Sequence, residues 1–238
     1  MRGQKSWLLA ATGGLILVLT IAGSIYAVSV RKKSPGTFQQ YYAKELNLLG
    51  EQIATIAELQ DYHTANPPNR HNIDQYEEAV ANTTGICRQM DGKYEGIKNS
   101  INDSAVRDKV NSVHALCHDL ESVTDYAYRW SKKTRSFVLF KADNLSTEDV
   151  KELTDTISVT TFAIDGLKSD PIQDPALPEQ VEYLKRVLNA SNDPQKASQE
   201  LKTEQDNFIN ARRYFWDNTI QMQGLRKSIA HLQDGFKS

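Results

Sequence analysis

Residues 73–127 read IDQYEEAVANTTGICRQMDGKYEGIKNSINDSAVRDKVNSVHALCHDLESVTDYA, and the fold follows from how the apolar positions fall on either side of Asn102-Asp103-Ser104. Before that turn, Ile73, Tyr76, Val80, Thr83, Cys87, Met90, Tyr94, Ile97 and Ile101 recur at steps of three and four. This is the seam of an amphipathic helix, not the period of two that a strand needs. Beyond the turn, Val106, Val110, Val113, Cys117, Leu120, Thr124 and Ala127 repeat the pattern. Asn72, followed by Gln75, predicts a capping box at the start of the first of these helices.

Two helices joined so closely pack antiparallel, and the numbers of facing residues then add to a constant. Ile97 meets Val106, Tyr94 meets Val110, Met90 meets Val113, Cys87 meets Cys117, Thr83 meets Leu120 and Val80 meets Thr124, with sums of 203 or 204. The cysteines thus face each other roughly 22 Å up the hairpin, and the expected site is a disulfide between Cys87 and Cys117, which implies an oxidising compartment. Two ordinary buried thiols are the alternative. His114, Cys117 and His118, with Cys87 opposite, are also the right kinds of ligand for tetrahedral zinc. At about 100° per residue, however, His114 lies roughly 75° off the seam and His118 about 115° off, so no metal and no cofactor is expected.

Toward the N-terminus, Asn66-Pro67-Pro68-Asn69 closes an earlier helix, expected over residues 37–63, whose stripe is Phe38, Tyr42, Leu46, Leu49, Ile53, Ile56 and Leu59. Upstream of it lie a tail (residues 1–6), a charge-free run from Trp7 to Val30, and a basic juxtamembrane hinge (residues 31–36). The run is long enough at about 1.5 Å per residue to cross a bilayer core of about 30 Å, so it is read as a transmembrane signal-anchor and the lipid bilayer as its partner. Ala27-Val28-Ser29 is a passable cleavage site, but a signal peptide's apolar region normally stops at about 7–15 residues. The bases on its two sides, Arg2 and Lys5 against Arg31, Lys32 and Lys33, nearly balance. Placement of residues 37–238 outside the cytoplasm therefore rests on the cysteines, and a cytoplasm-facing bundle recruiting a soluble partner is the rival.

Toward the C-terminus, Ser146-Thr147-Glu148-Asp149 caps a helix expected to reach Lys168, with Val150, Leu153, Ile157, Ile164 and Leu167 inward. A loop with three prolines follows, then a short helix from Pro178 to Ala190 carrying Val181, Leu184, Val187 and Leu188. Asp193-Pro194 opens a last helix with a heptad at Leu201, Phe208, Phe215, Met222, Ile229 and Phe236, expected to run on the order of 60 Å. Phe208, Phe215, Trp216 and Phe236 are read as core. The fold class is all-α: an N-terminal transmembrane helix, then an elongated antiparallel bundle of about four long helices and one short one, with coiled-coil-like seams.

The chain has 28 Lys plus Arg against 30 Asp plus Glu, and five of the bases flank the anchor, so residues beyond Lys33 carry a net charge of −7. Such a domain has no electrostatic reason to hold nucleic acid. Arg212-Arg213-Tyr214-Phe215-Trp216 mixes bases with aromatics, yet Glu204, Asp206 and Asp217 dilute it, and it is read as a solvated face beside a buried aromatic. Glu77-Glu78 and Glu148-Asp149 are adjacent on helices and diverge by about 100°, so neither serves as a catalytic dyad. The sequence holds no nucleophile elbow, phosphate-binding glycine loop, HExxH or CxxCH. The reading is a tethered binding or scaffolding protein with an unidentified protein partner and no enzymatic activity; an extracytoplasmic metal or thiol-redox protein using Cys87, Cys117 and His114 is the second.

Overall fold

The computed structural model describes residues 35–65 and 68–237. Seven α-helices occupy them, with no strand among the described residues: α1 (Pro35–Ala65), α2 (Arg70–Ile97), α3 (Ser104–Val138), α4 (Thr147–Asp165), α5 (Leu177–Ala190), α6 (Pro194–Phe215) and α7 (Met222–Lys237). The anchor read at Trp7–Val30 lies outside the described residues, as do the tail before it and most of the hinge; no described helix is long and apolar enough to cross a membrane. Residues 42–238 cluster as one unit.

Helix starts sit where a side chain can take up the first free backbone N–H groups. Asp103 accepts from the amides of Ala105 and Val106, Asp193 accepts from those of Gln195 and Lys196, and Ser146 with Asp149 forms the reciprocal capping box expected from the sequence. The cap of α2 falls three residues earlier than expected. Asn69, in an extended conformation, accepts from the Asn72 amide at 3.0 Å, so Asn72 is already inside the helix.

Helices α2 and α3 pack along their length, and the seams read from the sequence are buried on both, with only Tyr94 half-exposed. One pairing differs: the Thr124 hydroxyl meets Thr84 at 2.6 Å, one turn from the expected Val80. Below them, residues 42–65 of α1 bury Tyr42, Leu46, Leu49, Ile53 and Ile56. Tyr42 stacks on Phe236 of α7 at 5.6 Å, and Gln233 donates to the Leu46 carbonyl at 2.9 Å. Gly50 lies close beneath this contact: a Cβ there would come 3.3 Å from Gln233 Nε2.

The long final helix does not run through. It ends at Phe215, passes through one π-helical turn (Trp216–Ile220) and restarts after Gln221, whose φ of 48° is left-handed. Phe215 and Trp216, on either side of the change, are both fully buried. All six heptad positions are nevertheless buried.

Where α5 meets α6, the Arg186 Nε donates to Glu204 Oε1, its Nη2 donates to Oε2 at 3.0 Å, and Asn207 adds a bond at 2.9 Å. Burial pushes the Glu204 carboxyl up, but these donors outweigh it and hold the group below its ordinary range. A depressed carboxylate stabilises the fold above its unfolded pKa of about 4.3, and that contribution is lost as pH falls through the lower folded value. We expect the urea midpoint of the wild type to fall more steeply below pH 4.5 than that of Glu204→Gln. Parallel curves for the two proteins would contradict it.

Candidate ligand cavity

Phe208, Arg212 and Phe215 lie on one face of α6, four and three residues apart, and that face meets α3. The Arg212 guanidinium is held among rings: its carbon is 4.0 Å from the centroid of Phe215, 4.4 Å from Trp130 and 5.8 Å from Tyr126. Its counter-ion, Asp174, comes from the loop between α4 and α5. Asp174 Oδ2 accepts from Arg212 Nη2 and from the Tyr126 hydroxyl, both at 2.7 Å, and Oδ1 accepts from the Ala176 amide at 3.0 Å. Burial, and then the Asp174 charge, pushes the Tyr126 phenol well above its ordinary range, so it remains a donor.

This is a buried ion pair, with Arg212 only 5% exposed, and it leaves donors unused. Arg212 Nε and Nη1 and Gln60 Nε2 are buried and have no hydrogen-bond partner in the protein. A buried donor left in that state costs about 1–3 kcal/mol. Tyr76 adds another: Trp216 Nε1 donates to its oxygen at 2.7 Å, so the phenol's own proton is left for a different acceptor. Burial raises the Tyr76 pKa to about 12, against the opposing Arg212 charge, and the phenol keeps that proton at neutral pH.

Gln60, Tyr76 and Arg212 are walls of the same cavity, where α1, α2, α3 and α6 converge. About 40 Å³ is open there to the centres of water-sized molecules, room for roughly three waters or the head of a small ligand. Ile73, Trp130, Val138 and Ile209 are its apolar lining, and Arg135, held by Glu77 and Asp74, also lines it. Its two alcohols are committed elsewhere, Ser131 to Glu77 at 3.0 Å and Thr134 to the Trp130 carbonyl at 2.9 Å. Gln60 and Arg213 also line a polar basin of about 510 Å³ with Asp61, Asp217, Arg226 and Lys227. Arg213 reaches Asp61 at 3.3 Å and Asp217 at 3.6 Å.

The sequence-predicted residues lie elsewhere. Cys87 and Cys117 do face each other across α2 and α3, but the expected disulfide is not formed: both are free thiols at 0% exposure. The hydrogen bond with Cys87, and then burial, drives the Cys117 thiol far above its ordinary range. It does not supply the thiolate that disulfide exchange requires. His114 Nδ1 is 2.8 Å from Asp91 and its ring stacks on Tyr94 at 4.1 Å, whereas the His118 side chain is 77% exposed beside Asp119. No group of three or more His, Cys, Asp or Glu able to hold a metal exists among the described residues.

The basic-aromatic stretch is the second correction. Arg213 is half-exposed as expected, but Arg212 faces the core. Four residues from Phe208 and three from Phe215, it occupies the apolar face, and that offset was the available signal. Nothing comparable pointed to Asp174 or Gln60. Compared with known proteins, the chain matches no protein-family model, no curated protein and no solved structure.

Proposed function

We propose that the protein is a single-pass membrane-anchored helical bundle that binds and does not catalyse. The observation that carries the binding role is the cavity wall. It is largely apolar, from Ile73, Trp130, Val138 and Ile209, with Arg135, Arg212 and Arg213 also among its lining residues and its Ser131 and Thr134 hydroxyls engaged by other groups. Such a wall can orient a small molecule. The tether is supported by the charge-free run Trp7–Val30 and the bases on either side of it. The metal or thiol-redox alternative has no such support, since His114 is engaged by Asp91 and Tyr94 and both cysteines are sealed.

The test is fractionation of cells carrying the full chain, followed by protease added from outside. The expected result is that the chain stays with alkali-washed membranes. Recovery in the aqueous fraction would remove the tether; digestion of the bundle in intact cells puts it outside the cytoplasm, and protection puts it on the cytoplasmic side.

A further inference from the structure

A second concavity lies between α1 and α2. On α2 its lining recurs at three and four residues through Asn72, Gln75, Ala79 and Asn82, and on α1 through Gln52, Thr55 and Leu59. Asn82 Nδ2 reaches Gln52 Oε1 at 3.5 Å, which sets the register of the two antiparallel helices. On that register Glu58 of α1 and Glu78 of α2, which also line the groove, stand about two residues apart in height, about 3 Å along the axis. Both are exposed, and among the described residues neither has an ion pair or a hydrogen bond. No Lys, Arg or His lines the groove with them. A cleft lined by one sign of charge gathers counter-ions of the other.

Asn72 marks the same groove independently of charge. It is 8% exposed, and its carboxamide bonds to no described residue, yet unlike Gln60 Nε2 it is not sealed away from solvent. A buried amide in that state is costly until water or a ligand meets it. The Thr55 hydroxyl, by contrast, is committed to the Glu51 carbonyl at 3.0 Å. Leu59 and Ala79 supply apolar surface between these polar groups. A lone metal ion fits poorly, since the groove holds about 560 Å³ and no group of three or more His, Cys, Asp or Glu able to hold a metal exists among the described residues. That volume is the size of an organic ligand's site.

We infer that the groove between α1 and α2 binds an aliphatic polyamine. Its ammonium groups, which only donate, meet Glu58 and Glu78, which only accept, and a further N–H meets the Asn72 carboxamide oxygen. Its methylenes lie against Leu59 and Ala79. A monoamine answers one carboxylate and leaves the other unmet. The groove shares no lining residue with the cavity beside Arg212, so this site adds to the binding role proposed above and does not depend on what fills that cavity.

The test titrates the purified full chain, in a neutral detergent at pH 7, with spermidine and putrescine by calorimetry. Butylamine, calcium chloride and trilysine are the comparison probes. One spermidine per chain is expected, with Kd from roughly 10 μM to 1 mM, within what ten non-hydrogen atoms can supply. Butylamine and calcium should bind at least about tenfold more weakly. Glu58→Gln combined with Glu78→Gln alters only exposed side chains without partners among the described residues, so circular dichroism should be unchanged while spermidine weakens at least about tenfold. Asn72→Ala should weaken it about threefold. No saturable binding, undiminished affinity in the folded double variant, or calcium or butylamine binding as tightly as spermidine would each overturn the inference. Trilysine binding more tightly than spermidine would also overturn it, by assigning the groove to a basic protein segment.

Discussion

Replacing Asp174 with Asn should destabilise the bundle by about 3–5 kcal/mol, because it leaves the Arg212 charge buried without its counter-ion. Asp174 and Arg212 are 0% and 5% exposed at their side chains, so water cannot take over the lost role. The carboxylate receives Arg212, the Tyr126 hydroxyl and the Ala176 amide together, and an Asn side chain that keeps the Ala176 bond turns its own NH₂ toward two other donors. The rings around Arg212 soften the loss without supplying an anion; a desolvated cation–π contact is worth about 2 kcal/mol. Urea unfolding at pH 7 measures the effect. The double variant Asp174→Leu with Arg212→Met removes both charges and should cost less than Asp174→Asn alone, since a buried pair replaced by apolar groups is often close to neutral. A loss under about 1 kcal/mol for Asp174→Asn would mean that the pair is open to solvent.

What could be read from the sequence was what hydrophobic periodicity encodes. The seam from Ile73 to Ile101, its partner from Val106 to Ala127 and the heptad from Leu201 to Phe236 are buried with little exception because three-four spacing states directly which face meets a neighbour. The hairpin register was also legible to within a turn. Thr124 meeting Thr84 instead of Val80 is not a slip, since a seam residue in an antiparallel pair sits between two partners one turn apart. The cavity was not legible, and the reason is specific. The spacing of Arg212 from Phe208 and Phe215 puts it on the apolar face but does not supply its counter-ion: Asp174 comes from a proline-rich loop 38 residues away. No local pattern encodes that meeting. Likewise the heptad extends through Trp216–Ile220 and gives no sign of the π turn. The tether is the reverse case, resting on composition alone.

Phe208→Ala should be about as damaging as the loss of Asp174, at roughly 3–5 kcal/mol, through a cavity instead of a charge. The Phe208 ring is fully buried, with its centroid 5.5 Å from Trp130 and 5.2 Å from Phe137, so it is the contact by which α6 is held on α3. Truncation removes a large apolar group from water exclusion and leaves a void that two rigid rings cannot collapse into, since both belong to α3 and one of them, Trp130, is fixed through its indole N–H to Gln180 at 2.9 Å. For a domain of this size the change corresponds to a fall of about 6–20 °C in melting temperature. Phe208→Leu keeps most of the volume and should lose less than half as much. Because Phe208 and Phe137 share one contact, Phe208→Ala combined with Phe137→Ala should cost measurably less than the two singles added together. Strict additivity in thermal and urea unfolding would show that the two rings do not act as a pair.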